Sequence, residues 1–450
     1  MKPTAPLAVG AHSPLHHGSA SRRSLLRGIA AAALAVPAAS VLAACGDDDK
    51  SSTDPNAPVE LSIFWWGGDA RAKMTEDALA LYTAKHPNVT FKKTWQANAG
   101  YYDKLATLTA GGNAPDIFQI DDGALSEYAE RNQTLDLSKY ADSNKLDKSK
   151  ILPGLWQAGV VEGKPAGVPM GENTPGMIYD KGLLKTLGLP EPTTGMTWDA
   201  LIAWATQVTT KSGGKVFGTM DPSADYKALW VWLRQQGKQL YDGKKIGASA
   251  EDLTKWFDLW KGARDTKAAP PADVVHTANA GAVANQLVVT GKAATSFMWA
   301  NQLPELQKAT KSELGVVAYP GDPSGQWARA ALYFSVYKGS KHADVAVDVL
   351  NFLVNDVEAG KILGTDRGLN ANTDVRTAVA STLKDSAATA AQFETDLASK
   401  FGTPPAVPPK GHVKVRSLLI TYAENVGYGK ATSAAAADAF LKEANAALAG

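Results

Sequence analysis

The sequence predicts an α/β protein built as two lobes, and three observations carry that reading. A chain of 450 residues is longer than one hydrophobic core usually organises, so at least two cores are expected. Beyond residue 58, short apolar runs rich in β-formers alternate with segments of helical spacing, the order that builds a parallel sheet covered by helices. After a long helical middle, the strand–helix–strand pattern returns past Gly291. A content of 45% apolar and 20% charged residues excludes a disordered or collagen-like chain.

Charge excludes a further class and divides the chain. The formal net charge is +1, which argues against a strongly basic nucleic-acid binder. Residues 1–44 hold Lys2, Arg22, Arg23 and Arg27 and no acid, so the remainder carries 42 basic against 45 acidic residues. Three arginines followed by an Ala-rich apolar run over 29–44 have the pattern of an export signal. That run is too short for a membrane span of about 20 residues. Ser21-Arg22-Arg23-Ser24-Leu25-Leu26-Arg27 resembles a twin-arginine signal, with an ordinary secretory signal as the rival. Leu42-Ala43-Ala44-Cys45-Gly46 resembles the bacterial lipoprotein box, which implies cleavage before Cys45 and lipid on its sulfur and new amino group. Cys45 is the single cysteine, so no thiol is left for a disulfide or a redox pair. Residues 46–58 are polar with two prolines and read as a tether; Asp47, Asp48 and Asp49 as a metal site is the sharper alternative.

The elements follow in order. Residues 59–66 (VELSIFWW) read as a buried strand ended by Gly67-Gly68, and Asp69 stands at a helix N-cap position. Met74, Ala78, Leu81 and Tyr82 recur at helical spacing until His86-Pro87. A strand over 89–95 follows, then a helix with Tyr101, Leu105 and Leu108 on one face, stopped by Gly111-Gly112. A third strand over 116–120 ends in Asp121-Asp122-Gly123. Open sheets of this order bind ligands beyond the carboxyl ends of their strands, where Trp65, Trp66, Asp69, Asp121 and Asp122 gather. Adjacent Trp65 and Trp66 point to opposite faces of a strand, so one core cannot simply absorb both. Thr197-Trp198-Asp199 starts a helix striped by Leu201, Trp204 and Val208, and further helices fit 225–236, 252–264 and 278–290. Strands over 294–298 and 314–318 flank a helix over 303–308; 343–354 reads as a helix buried between layers, and 434–448 as a terminal helix.

Several segments, in this order, resemble the bacterial extracellular solute-binding proteins that serve sugar-importing ABC transporters. They are Ala110-Gly111-Gly112-Asn113-Ala114-Pro115-Asp116-Ile117, then Gly163-Lys164-Pro165-Ala166-Gly167-Val168-Pro169 with Met177-Ile178-Tyr179-Asp180-Lys181. Thr197-Trp198-Asp199-Ala200-Leu201, Gly291-Lys292-Ala293-Ala294-Thr295 and GTDRGLNAN over 364–372 complete the set. The resemblance implies a periplasmic-binding-protein-like fold, two α/β lobes joined by a hinge with a ligand cleft between them. It assigns 59–170 plus 293–338 to the first lobe and 171–292 plus 339–450 to the second, more helical one. Met298-Trp299-Ala300-Asn301 and Leu369 depart from common family residues near the ligand, so the identity of the sugar does not carry over.

The implied protein is a monomer, exported and lipid-anchored on the outer face of the cytoplasmic membrane. It passes a sugar or oligosaccharide to ABC permease subunits and uses no cofactor, metal or nucleic acid. Aromatic faces suit the C–H faces of a sugar, while carboxylates, amides and guanidinium groups suit its hydroxyl rim. The candidate ligand residues are Trp66, Asp69, Tyr102, Asp121, Asp122, Glu172, Asn173, Asp225, Tyr226, Trp299, Tyr333 and Arg367, with Trp230 a further aromatic. The resemblance favours Asp69, Asp121, Glu172 and Trp299. A lobe–lobe salt bridge is the alternative for Arg367, and a lipid-anchored sensor or adhesin is the alternative function. Catalysis has little to stand on: His86, His276, His342 and His412 are widely spaced, and no HExxH, G-x-S-x-G or phosphate-loop motif occurs. Paired carboxylates such as Asp121 and Glu172 are what a glycosidase reading could use.

Overall fold

The computed structural model describes residues 57–98, 100–279 and 283–450. The export signal, Cys45 and the tether up to residue 56 lie outside the described residues. The first sheet has five strands in the order 89–96, 59–66, 117–120, 333–336, 168–169. β1 (Val59–Trp66) runs parallel to β2 (Val89–Gln96), in register from Val59 opposite Val89 to Trp66 opposite Gln96, and parallel to β3 (Ile117–Ile120). α1 (Asp69–Lys85) and α2 (Tyr101–Ala110) make the right β-α-β-α-β crossovers for such a sheet. The strand Tyr333–Val336 joins antiparallel, with Tyr333 opposite Ile120 on one side and opposite Pro169 on the other. One core unites Leu61, Ile63, Phe64, Trp65, Phe118, Ile120 and Phe334 with Val347, Leu350 and Leu353 of the helix Ala343–Asn355.

A second sheet is separate. The strand Pro175–Asp180 lies between Thr295–Trp299 and Leu314–Val317, antiparallel to both. Gly176 allows this packing, since a Cβ there would meet Val316 Cγ2 at 2.7 Å. The core behind it is tryptophan-rich: Trp198, Trp256 and Trp260 pack edge to face, and Trp198 stacks on Phe297 at 6.2 Å. Caps set the surrounding helices, with Thr197 accepting from the Ala200 amide and Ser249 with Asp252 forming a capping box.

Several expectations need correction. The expected lobe assignment departs from the observed packing at two places. Residues 295–299 and 314–317 pair with the second sheet, not the first, because both hydrogen-bond to Pro175–Asp180. The helix Ala343–Asn355 and Leu363 belong to the first core, not the second. Gly68, not Asp69, occupies the N-cap of α1, and Asp69 is its first helical residue. The helix expected over 278–290 is two pieces, Ala272–Asn279 and the single turn Leu287–Thr290.

The lobes meet where crossing segments lie side by side. Glu172 bridges Ala330, the Asn173 amide donates to the Arg329 carbonyl at 2.8 Å, and the Ala331 amide donates to Gly171 at 2.8 Å. On the other side Leu369 pairs with Glu172 and Asn370 with Gly171. The approach is close enough to demand glycine: a Cβ on Gly368, whose φ is +84°, would lie 2.1 Å from the Glu172 carbonyl. Among the described residues no helix is long and apolar enough to cross a membrane.

Candidate functional site

The tips of the first sheet hold an aromatic platform. Contrary to expectation the first core absorbs both tryptophans, Trp65 fully and Trp66 at 8% exposure, with Trp66 edge-on to Tyr101 at 4.9 Å and tilted against Tyr102 at 5.8 Å. The Tyr102 hydroxyl accepts from the Asp121 amide at 3.0 Å. Asp121 caps α3 (Asp122–Glu130) by accepting from the Ala124 amide at 3.1 Å. Burial, then the neighbouring Asp122, pushes the Asp121 carboxyl above its ordinary range. Asp122 holds Arg329 through both of its oxygens, Arg329 Nε donating to Oδ2 at 2.5 Å and Nη2 to Oδ1. Burial would raise the Asp122 carboxyl, but Arg329, with His412 and Arg416 beyond it, outweighs that and holds it low.

The facing wall comes from the second lobe. Asp225 caps the helix Tyr226–Arg234 through the Lys227 amide and pairs with Lys227 Nζ at 2.8 Å. Trp299, half-buried at the end of its strand, meets two cations: the Arg329 guanidinium 4.6 Å from its ring centre and Lys227 Nζ at 5.0 Å. Tyr226 lies under the Arg416 guanidinium at 4.8 Å and edge-on to His412 at 5.0 Å. His412 shares a 2.5 Å hydrogen bond with the Tyr241 hydroxyl, and burial pushes its pKa down to about 4, so the ring is neutral at pH 7. Gly123 and His412 bring the lobes within touching distance, a Cβ at Gly123 falling 3.6 Å from the ring. Lys244 and Glu130 add a 3.9 Å ion pair between the two lobes.

Between these walls is a cavity of ≈ 20 Å³, room for one water rather than for a sugar ring. Asp122 and Arg329 provide its charge, Tyr226, Trp230, Trp327 and Tyr333 its aromatic faces, and residues 404–408 one side. Aromatic faces beside a bidentate Arg–carboxylate pair can cover an apolar ring face and hydrogen-bond its hydroxyl rim. The shape is that of a closed cleft, its lobes in contact.

The structure brings together Asp122, Tyr226 and Tyr333 around this cavity, with Asp225 and Trp299 one contact behind. Trp66, Tyr102 and Asp121 form the adjoining platform. Four candidates stand elsewhere. Glu172 is completely buried at the crossing, accepting from Arg376 Nη2 at 2.5 Å and from Thr174 Oγ1 at 2.9 Å. With both oxygens so engaged, it is not a partner for Asp121 in a carboxylate pair. Asn173 is buried beside it, its Oδ1 without a hydrogen-bond partner among the described residues. Arg367 is held inside the first lobe by Gln119 Oε1 at 2.8 Å and Thr75 Oγ1 at 2.9 Å, above the Phe334 ring, and among the described residues its ion pair is with its neighbour Asp366 at 3.9 Å rather than with the second lobe. Asp69 is exposed on α1.

Sequence reasoning missed Arg329, Trp327, Lys227, Arg416 and the segment 404–408. Arg329 lies outside every strand and helix, in a stretch with no periodicity to mark it; the paired prolines at 404–405 and 408–409 were the visible signal. Among the described residues no three His, Cys, Asp or Glu side chains are grouped to hold a metal ion.

Comparison with known proteins adds four findings. Residues 77–395 match the family model described as bacterial extracellular solute-binding protein. A lactose-binding protein of Rhizobium radiobacter is 30% identical over 186 residues, 40% of this chain and 43% of that protein, so the match spans less than half of that relative. Among solved structures, a family 1 extracellular solute-binding protein of Alicyclobacillus acidocaldarius is 27% identical with a TM-score of 0.72, covering 88% of this chain and 99% of that one. An oligogalacturonide-binding protein of Yersinia enterocolitica, solved with saturated digalacturonic acid, has 22% identity and a TM-score of 0.72 over 87% and 98% of the two chains. At that identity the likeness is one of fold.

Proposed function

The chain belongs to the bacterial extracellular solute-binding proteins, and we propose that it captures a sugar or oligosaccharide in the cleft between its lobes and delivers it to an ABC permease. In this reading Cys45 carries the lipid that holds the protein at the outer face of the cytoplasmic membrane. The observation that carries the reading is one wall built from both lobes: Asp122 and Tyr333 from the first sheet's side, Tyr226 and Trp230 from the second, with Arg329 on the crossing between them. Such a wall is complete only when the lobes meet, so a ligand that touches both halves favours the closed state by its differential affinity. The protein performs no chemistry on its cargo; hydrolysis of nucleotide belongs to the transporter. The lactose- and digalacturonate-binding relatives support a saccharide as the ligand class.

The test is a thermal-shift screen of the purified chain against a carbohydrate panel. A true ligand at a hundred times its Kd stabilises by about 2.7 kcal/mol through mass action. The same ligand reduces the radius of gyration measured by small-angle scattering and is recovered chemically intact. A melting curve unmoved by every saccharide but shifted by a peptide overturns the sugar reading, and cargo recovered in altered form overturns the binding reading.

A further inference from the structure

Residues 401–410 (FGTPPAVPPK) connect the helix Asp385–Leu397 to the helix His412–Gly427 without any strand or helix of their own. Both ends are fastened to the second lobe. Upstream, the Gly402 amide donates to the Gln326 carbonyl at 3.0 Å and Arg234 Nη2 donates to the Thr403 carbonyl at 2.7 Å. Downstream, Lys410 Nζ donates to the Gly450 carbonyl at 2.7 Å, and Gly411, at φ +92°, passes so close to the last helix that a Cβ would sit 2.4 Å from the Ala447 carbonyl. The middle leans the other way. A Cβ on Gly154 of the first lobe would meet Pro404 at 3.1 Å, and Val407 packs against the first core.

This span supplies Pro404, Pro405, Ala406, Val407 and Pro408 to the wall of the cavity that holds Asp122 and Arg329. Its chemistry differs from every other side of that cavity. Proline has no amide hydrogen and a fixed φ, so three of the five residues bring no N–H to the cavity and the segment yields little under load. It offers C–H surface to a ring but no side-chain donor or acceptor to a hydroxyl. A further sugar unit would have to displace this doubly fastened, proline-stiffened chain to find room beside Asp122 and Arg329.

We infer that residues 404–408 are the end stop of the site and set the length of saccharide it accepts. The inference rests on the sugar reading above and goes beyond it by naming the specificity determinant. The segment is fastened to the second lobe at both ends and rests on the first lobe through Pro404 and Val407.

The experiment is a calorimetric titration of two homologous ladders, maltose to maltohexaose and galacturonic acid to its hexamer, with lactose alongside. Three proteins are compared: the unaltered chain, a chain lacking residues 405–407, and a chain with Pro404→Gly, Pro405→Gly and Pro408→Gly together. The unaltered chain should lose at least tenfold in affinity between its best ligand length and the next longer one. The deletion should reduce that drop to threefold or less, and the glycine variant should soften it. Should the deletion fail to fold by circular dichroism, the glycine variant decides. A folded variant with the same length profile as the unaltered chain overturns the end stop and leaves the sugar reading standing, as does an unaltered chain with no length preference. Absence of binding to every member of both ladders and to lactose removes the sugar reading, and the end stop falls with it.

Discussion

Asp122 with Arg329 and Glu172 with Arg376 are the same chemical pair in two settings. The first lines the cleft, its side chains 16% and 13% exposed and its arginine lying over the face of Trp299. The second is sealed at the crossing between lobes, with the glutamate side chain 1% exposed and a third group, Glu394, pressed against it. A pair beside a cavity can exchange partners with a ligand's hydroxyls, because water or sugar can satisfy whatever is released. A sealed pair has no substitute partner, and breaking it strands a charge. An acid that follows a strand and precedes a cleft therefore has two destinies, decided by which arginine arrives from elsewhere in the chain.

Replacing Glu172 by Ala should sharpen this contrast most. Arg376 would lose its carboxylate partner and keep only the Asn370 and Leu369 carbonyls, and chemical denaturation should report a loss of about 3–5 kcal/mol. Asp122→Ala should do the reverse: stability falls by about 1 kcal/mol, while saccharide affinity by calorimetry falls tenfold or more, about 1.4 kcal/mol. Equal stability losses for the two would break the comparison.

Trp299→Ala comes next. Its half-buried ring lies against Arg329 and Lys227, so removal should cost the ligand about tenfold in affinity with a smaller effect on melting temperature. An unchanged dissociation constant would assign Trp299 to packing.

A smaller effect belongs to pH. Burial, and then the charge of Glu172, raises the Glu394 carboxyl well above its ordinary range, against the pull of Arg376. The folded state therefore keeps a proton that the unfolded state gives up. Stability from this group is present below the unfolded pKa near 4.5 and is lost as pH rises through the folded value. Glu394→Gln should flatten the fall of stability with pH above 4.5, read from denaturation curves at stepped pH; an unchanged slope would show that Glu394 ionises freely. Smallest of all is Asp69→Asn, which should move stability by less than about 0.5 kcal/mol and affinity by less than about twofold, since the side chain is exposed.

The same contrast explains what could be read in the amino acids alone. The strands 59–66 and 117–120 and the helices at Tyr101 and Trp198 announce themselves by local period, β-rich composition and flanking glycine or threonine, so they are legible. Tyr333–Val336 is four apolar-flanked residues whose partner, Ile117–Ile120, lies some two hundred positions earlier; nothing local encodes that pairing. The lobe assignment failed at 295–317 and 343–363 for the same reason, because sheet membership is a non-local property. In the site, Asp122 and Tyr226 were visible as acids and aromatics at element starts. Glu172 was read as a ligand group because Arg376, 204 positions away, cannot be seen beside it in a one-dimensional pattern. Arg329 was invisible because loops carry no period.

The way each sheet is assembled also governs when the chain can fold. The first sheet closes on residues 333–336 and its core on the helix that follows, while the second waits for 295–317 and for the terminal pair of helices. A growing polypeptide on the ribosome thus has neither half complete until three-quarters of it has been synthesised. The first half is complete once the helix Ala343–Asn355 and Ala371 have emerged, whereas the second still waits for the helices His412–Gly427 and Ser433–Ala449, so a stop between the two points leaves only the second half unfinished.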